Sequence, residues 1–395
     1  VAATTAAIAA ALKNDAITLH ARGQRDQAGR AELEGAAGLY GVYLSRFGDD
    51  PKAYEVHFNL AELDFFRLGR NVDAATHYMA AARAIPPSET SGGLAAMRHD
   101  ALYNALVALS REMDAGPRET PSTPPGSDAT KGRARTDSFV RAADQYAEAL
   151  DLYAEFYPGD PELPAMFYRQ GRYYFERGNY DSAVKIWGML LEKFPNSAPS
   201  HDAGDSILES FSRAKNYANI ETWARRLKAL PTFGAQKQQE RLNSLIVTSV
   251  FKQGEQTAAS GNHAGAAKAY LRAAKEFPGD ARAAQACVDA EQEAKLAGDA
   301  QTLEEAAHVA MGPAYKDRPE SPTGAWIAAT TLQSMGLFDE AAAVSEQMAA
   351  LGDRDHLGSY VKFEHEKDAA YNAVILREAT GDHARAVDDG ARFLA

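Results

Sequence analysis

The stretch PAMFYRQGRYYFERGNYDSAVKIWGMLLEKFPNS, residues 164–197, decides how the rest of the chain is read. It holds two amphipathic segments, Ala165 to Arg177 and Tyr180 to Lys193, separated by Gly178-Asn179 and closed by Phe194-Pro195. Glycine just past a helix end accepts left-handed backbone, and proline stops the second helix. Each segment is too short and too one-sided to stand alone. The pair must bury its apolar faces against neighbours on both sides, which predicts a repeat.

The pattern recurs. A register beginning at Glu55 gives Phe58, Phe65, Gly69, Ala74, Tyr78, Ala81 and Pro86. One beginning at Val247 gives Gly254, Gly261, Ala266, Tyr270, Ala273 and Pro278. Weaker copies begin at His201, Ala284, Pro322 and Lys367, with turns at Lys215, Gly298, Gly336 and Gly381. In the copies at His201 and Ala284, Ile220 and Leu303 stand where the stronger copies carry a small residue.

The 164–197 unit resembles the tetratricopeptide repeat (TPR), a helix–turn–helix unit of about 34 residues. Phe167, Gly171, Tyr174, Ala183, Trp187 and Pro195 stand at that family's aromatic, small and proline positions. The resemblance implies an all-α, right-handed superhelical solenoid of stacked helical hairpins. It also implies that the first helix of each pair lines a concave face and that the partners are other proteins or peptides.

On this reading residues 1–395 form a single TPR-like solenoid. An elongated N-terminal hairpin occupies 1–51, with helices from about Thr4 to Leu19 and up to Phe47 around a turn at Arg22-Gly23-Gln24. A repeat follows at 55–88, then a hairpin at 92–161 carrying a flexible insertion at 113–136. The repeat at 164–197 precedes a degenerate one at 201–234 and one with an extended first helix at 235–280. A degenerate repeat at 284–317, a TPR-like pair at 322–355 and a truncated pair at 367–395 complete the array. The insertion, rich in proline, glycine and serine, cannot bury enough apolar surface to offset its ordering entropy. Closure cost rises only logarithmically with length, so a hairpin tolerates it.

Bulk composition bounds the function. A net charge of -12 and a pI near 5.4 oppose nucleic acid or an anionic membrane as the main partner. Cys287 alone supplies neither a disulfide nor a thiolate-rich metal site. No stretch reaches the roughly 18 apolar residues of a membrane span. The apolar run Val1 to Leu12 has no basic leader before it, and the chain stops within the helical pattern at Phe393-Leu394-Ala395. A processed or trimmed piece of a longer protein is therefore expected.

The sequence carries no recognised catalytic motif. There is no phosphate-cradling glycine loop, no His-Glu-x-x-His pair and no Gly-x-Ser-x-Gly elbow. Cys287 falls at a packed register position, where a thiol acts as a small hydrophobe. His356 and His365-Glu366 have no recognised ligand spacing and read as exposed helical side chains. Asp49-Asp50 and Asp388-Asp389 read as solvated carboxylates. The expectation is no enzyme, no metal and no cofactor.

Partner contacts are expected on the first helices. Tyr168, Arg172 and Phe175, four and three residues apart, share one helix face, with Arg169 beside them. Tyr and Arg are typical hot-spot residues, and Arg grips carboxylates with two bonds. The competing reading packs Tyr168 and Phe175 on the adjacent hairpin and pairs the arginines with local acids. Val56, Asn59, Leu63, Phe66 and Arg67 form a similar stripe in the 55–88 unit, and Phe251, Lys252 and Glu255 continue it. Asn372 stands where the TPR family often uses asparagine to hold peptide backbone. The family's peptide-carboxylate clamp set is not reproduced.

The endings Phe47…Pro51, Tyr157-Pro158, Phe194-Pro195 and Phe277-Pro278 resemble those of bacterial envelope TPR proteins. The Tol–Pal-associated coordinator, the lipoprotein of the outer-membrane assembly machinery and TPR components of gliding-motility complexes are of this kind. The expected role is a non-catalytic scaffold or adaptor in a periplasmic or cell-envelope assembly, with a cytoplasmic location as the alternative. A second reading is a regulatory or substrate-recruiting module of a longer protein whose catalytic domain lies outside this chain.

Overall fold

A computed structural model describes residues 2–25, 29–115, 137–318, 320–351 and 365–394. Among them lie eighteen α-helices packed as sequential hairpins and no strand: an all-α, TPR-like repeat solenoid. The helices cluster into two compact units, Val1–Ala214 and Lys215–Ala395, rather than one body, and the degenerate 201–234 repeat is divided between them.

The first unit contains α1 (Ala2–Arg25), α2 (Arg30–Phe47), α3 (Ala53–Leu63), α4 (Asn71–Ala84) and α5 (Gly92–Ala115). It continues with α6 (Asp137–Phe156), α7 (Leu163–Phe175), α8 (Tyr180–Lys193) and α9 (Ala198–Arg213). Two expectations are corrected here. Gly23 is no turn residue but lies inside α1, where a Cβ would come within 2.6 Å of Leu33; its small size lets α1 and α2 approach. The insertion does not start at Met113, because α5 runs to Ala115 and Met113 is a fully buried core residue. Residues 116–136, on which the flexible-insertion expectation mainly falls, lie outside the described residues.

The second unit contains α10 (Tyr217–Lys228), α11 (Gln236–Ala259), α12 (His263–Glu276), α13 (Ala283–Ala297) and α14 (Ala300–Ala310). Then come α15 (Glu320–Ser334), α16 (Phe338–Leu351), α17 (Glu366–Thr380) and α18 (His383–Leu394). Cys287 is buried in an alanine-rich cluster with Ala283, Ala290 and Tyr315, and burial pushes its thiol up to about 12. A thiol so placed is an inert packing group. His365, expected to be exposed, instead stacks flat on Trp326 with ring centroids 4.2 Å apart. His356 lies outside the described residues.

Two local devices build the array. Within a hairpin, the fifteenth residue of each of the seven registers adopts left-handed backbone: Gly69, Gly178, Lys215, Gly261, Gly298, Gly336 and Gly381. In five of them the next residue caps the second helix. The side chains of Asn179, Asn216, Asn262, Asp299 and Asp382 accept from the N–H three residues on, at 3.0–3.3 Å. An oxygen there satisfies an otherwise orphaned helix N–H.

Between hairpins the aromatic endings form tight turns. The carbonyls of Phe47, Tyr157, Phe194 and Phe277 accept from the N–H of Asp50, Asp160, Ser197 and Asp280 at 3.0–3.1 Å. Each aspartate then takes the N–H two residues on, Lys52, Glu162 and Arg282, at 2.7–2.9 Å. Asp50 and Asp160 also receive the hydroxyls of Tyr43 and Tyr153 at 3.1 and 2.6 Å. Three of these turns read aromatic-Pro-x-(Asp/Ser), and Phe47-Gly48-Asp49-Asp50 makes the same helix-linking turn without the proline. The connection from α4 to α5 lacks that phrase. Buried Arg98 closes it by donating to the carbonyls of Ile85, Pro86 and Glu89 at 2.5–3.0 Å, with its guanidinium over Phe156.

Candidate partner-binding face

The small and aromatic repeat positions are consumed by packing. In the 164–197 unit, a Cβ on Gly171 would lie 2.6 Å from carbons of the Trp187 indole. Trp187 is fully buried, and its indole N–H donates to the Tyr168 carbonyl at 3.1 Å. In the 247 unit, Gly254 admits the ring of Tyr270 in the same way.

This packing sorts the expected site residues. Tyr168 and Phe175 are half-buried against Trp187, with ring centroids 6.0 and 5.6 Å away, so most of their area serves the hairpin. Phe175 also carries the Arg213 guanidinium at 5.1 Å. Arg172 is exposed and pairs with Glu176 one turn on at 2.6 Å, while Arg169 is exposed beside them. Leu63 and Phe251 are corrected outright: both are core residues. Leu63 belongs to the cluster of Leu33, Tyr40 and Val56, and Phe251 lies beneath the Arg282 guanidinium at 4.3 Å. Asn59 and Asn372 are half-buried, and Lys252 pairs with Glu255 on its own helix.

Phe66 is 58% exposed, more than any other aromatic residue of this set. Pattern reading missed its setting. The first helix of its hairpin ends in a π-turn, Asp64–Leu68, just before Gly69, and there Phe66 is exposed while Phe65 stays buried. Asp64 is buried there against Arg70 at 3.5 Å. Burial pushes its carboxyl up to about 6, against the pull of Arg70. Arg67, next to Phe66, donates to the Gly23 carbonyl at 3.1 Å.

Across the described residues, first and second helices present different chemistry. Exposed large apolar side chains stand mostly on first helices or their ends: Ile8 and Ile17 on α1, Phe66, Tyr103 on α5, Leu296 on α13, Met335 after α15, and Tyr371 and Ile375 on α17. The exceptions are Val42 on α2, Phe338 on α16 and Val387, Phe393 and Leu394 on α18.

Second helices of neighbouring hairpins are instead zipped by charge. Arg83 of α4 pairs with Glu148 of α6, Arg225 of α10 with Glu276 of α12, and Lys275 of α12 with Glu305 of α14. Arg272 of α12 reaches Glu221 of α10 at 2.9 Å. Burial alone would raise the Glu221 carboxyl, but bonds from Gln253, Arg272 and Arg225 bring it below its ordinary range. Lys13 of α1 and Glu55 of α3 join two first helices. An open groove of about 540 Å³ between α12 and α14 is lined by Lys268, Arg272 and Lys275. Each of these cations already faces a carboxylate of the chain, so the groove is self-satisfied.

Other titratable contacts are structural. His57 and His77 meet ring to ring at 3.1 Å, and burial pushes His57 down to about 4. Among the described residues no three His, Cys, Asp or Glu side chains gather as a metal would require, and no helix is long and apolar enough to cross a membrane.

Comparison with known proteins agrees with the hairpin that anchors the reading. The tetratricopeptide repeat family model matches residues 165–197. The chain is therefore a TPR-type repeat scaffold, a class built for protein–protein interaction and typically non-catalytic. No curated protein matches the chain. Among solved structures, one described as "Circular tandem repeat protein with novel repeat topology and enhanced subunit contact surfaces" is 15% identical, with 91% of this chain and 84% of that chain covered at a TM-score of 0.28. Another, "Structure of Naa15/Naa10 bound to HypK-THB", is 13% identical, with 96% of this chain and 58% of that chain covered at a TM-score of 0.20. Likenesses this distant say nothing about the partners of this chain.

Proposed function

We propose that this chain is a non-catalytic scaffold or adaptor that holds a peptide or partner domain against the first helices of its hairpins, within a bacterial cell-envelope or motility assembly. The observation that carries the docking side is the division of labour between helices. The second helices α4, α6, α10, α12 and α14 spend charged side chains on ion pairs to one another. First helices leave Phe66, Tyr103, Leu296 and Tyr371 in water at a cost that a partner would relieve. The envelope assignment rests on the resemblance of the endings Phe47…Pro51, Tyr157-Pro158, Phe194-Pro195 and Phe277-Pro278 to those of envelope repeat proteins.

Site-specific photocrosslinking tests the docking side. A photoreactive residue is placed at Phe66, Tyr103 or Leu296, and in control chains at Arg83 or Lys275. Adducts in native cells from the first set alone are expected. Adducts from the control set alone, or equally from both, would place the partner elsewhere. Fractionation of the same cells addresses the compartment, and adducts found only with cytoplasmic proteins would overturn the envelope assignment.

A further inference from the structure

Each position of the repeat can be followed through the seven registers, and one hairpin departs from the rest. The twenty-seventh position is buried as Ala81, Leu190, Leu227, Ala273, Ala310 and Met348, but in the α17/α18 hairpin it is Phe393, 42% exposed. The fifth and twenty-first positions are buried or half-buried in the same six registers. In the seventh they are Tyr371 and Val387, 54% and 69% exposed. Elsewhere an adjacent hairpin supplies the cover. Ala273 lies in one buried cluster with Ala283 and Ala286 of α13, and Ala342 and Met348 lie in another with Ala369 and Leu376 of α17. The α17/α18 hairpin therefore keeps, in water, the side chains of an internal junction, whereas the outer face of a repeat array is polar where water covers it.

These side chains form one patch. The rings of Tyr371 and Phe393 lie 5.9 Å apart, Ile375 follows Tyr371 by one turn of α17, and Leu394 follows Val387 by two turns of α18. Between Val387 and Leu394, a Cβ on Gly390 would meet nothing within 4 Å, although the six residues at its position in the other registers are all buried. The patch leaves roughly 500 Å² in water, against about 800 Å² buried by each partner of a standard complex, so with its rim it has the extent of a dimer contact. Its charges suit a second copy. Asp388 and Arg392 flank the apolar stripe of α18; Arg392 reaches its own Asp389 at 3.5 Å and its side chain stays 66% exposed. When α18 pairs antiparallel with its twin about Gly390, Asp388 of each copy stands beside Arg392 of the other, and Val387 beside Phe393.

We propose that the α17/α18 hairpin is a two-fold interface with a second copy of this chain, in which α18 packs antiparallel on its twin. This goes beyond the docking side proposed above, with which it shares only Tyr371.

Sedimentation equilibrium from about 1 to 100 µM, on the protein at the length found in cells, tests the interface. A reversible monomer–dimer equilibrium is expected. Val387→Glu should weaken it by at least about tenfold, with circular dichroism confirming the fold, and Leu296→Glu on α13 should leave it unchanged. Asp388→Arg should weaken it as well, and Asp388→Arg/Arg392→Asp should restore it. A monomer at every concentration, whether the face is bare or covered by other residues of the chain, would overturn the proposal. A dimer that ignores Val387→Glu would overturn the site. A dimer that responds to Val387→Glu but recovers nothing in the charge exchange would overturn the antiparallel pairing. The photocrosslinking positions Phe66, Tyr103 and Leu296 lie outside this face, so the two readings fail separately.

Discussion

The repeat at 164–197 and the degenerate repeat at 284–317 solve one packing problem in opposite ways. At the eighth and twenty-fourth register positions, where the two helices of a hairpin cross closely, the first carries Gly171 and Trp187 and the second Glu291 and Ala307. The bulk has changed sides. The same exchange occurs in Leu208 with Ala224 and in Val374 with Gly390, whereas Gly254 with Tyr270 keeps the first arrangement. The volume at the crossing is therefore not tied to a particular residue at each position, and two registers follow neither arrangement, with Glu62 and Tyr78 both large and Ala329 and Ser345 both small. Pattern matching registers the Gly–Trp arrangement as strong and the exchanged one as degenerate. The difference between them is chemical. Trp187 fills its hole and gains a hydrogen bond, but Glu291 is fully buried with neither carboxylate oxygen bonded. It lies so close to Gly324 of α15 that a Cβ there would come within 2.6 Å of its carboxyl carbon.

The largest expected effect tests the exchange itself. Trp187→Ala should cost about 3 to 5 kcal/mol and Gly171→Leu about 1 to 3 kcal/mol or more in chemical denaturation. The double variant, which reproduces the Leu208/Ala224 arrangement, should cost clearly less than the sum of the singles. Simple additivity would show that the exchanged pairs are unrelated to each other.

The next effect is on pH dependence at the other crossing. Burial pushes the Glu291 carboxyl well above its ordinary range. Burial favours its neutral form in the fold, so its contribution to stability is fully present below the unfolded value of 4.5 and is lost as pH rises through the raised folded value. The slope approaches about 1.4 kcal/mol per pH unit. Glu291→Gln should remove this part of the decline, so that the variant gains on the parent chain as pH rises. Parallel stability profiles from pH 5 to 9 would mean that the acid is hydrated or paired in solution.

A smaller gain is expected at the turns. Lys215 is the one non-glycine described with positive φ, at 51°, in a position that six other registers give to glycine. Lys215→Gly should stabilise the chain by about 0.5 to 1 kcal/mol, because glycine adopts this backbone without the Cβ penalty. A loss would show that the lysine side chain contributes more than its backbone costs. The smallest effect is expected at Arg172, whose one pairing is an exposed bond along its own helix. Arg172→Glu should change stability by less than about 1 kcal/mol while weakening partner binding. A loss several times larger would assign Arg172 to the framework together with Tyr168 and Phe175.

Much of this molecule was legible in order along the chain. The left-handed turn residues, the Asx caps and the aromatic-to-aspartate turns are set by interactions spanning only two to five residues, so local chemistry specifies them. Hairpin packing follows from the amphipathic period and the short turns. That is why residues 164–197 were sufficient to predict an all-helical repeat. The candidate face was only partly legible. Helical spacing placed Tyr168, Arg169, Arg172 and Phe66 on first helices, but it could not separate a side chain that faces water from one that faces the next hairpin. Leu63 and Phe251 share that spacing and are core.

Tertiary structure decided what depends on neighbours distant in sequence. It set Phe66 outward in a π-turn, buried Arg98 under a connection with no sequence signature, and put Gly23 inside a helix because Leu33 needed the space. It also decided which charges are spent on neighbours, as Arg83 is on Glu148 and Lys275 on Glu305. The sequence alone determines the helices, their turns and the existence of a repeat, since those are local free-energy choices repeated along the chain. Which side chains remain for a partner is a residue of packing, known only once each helix has taken what it needs from its neighbours.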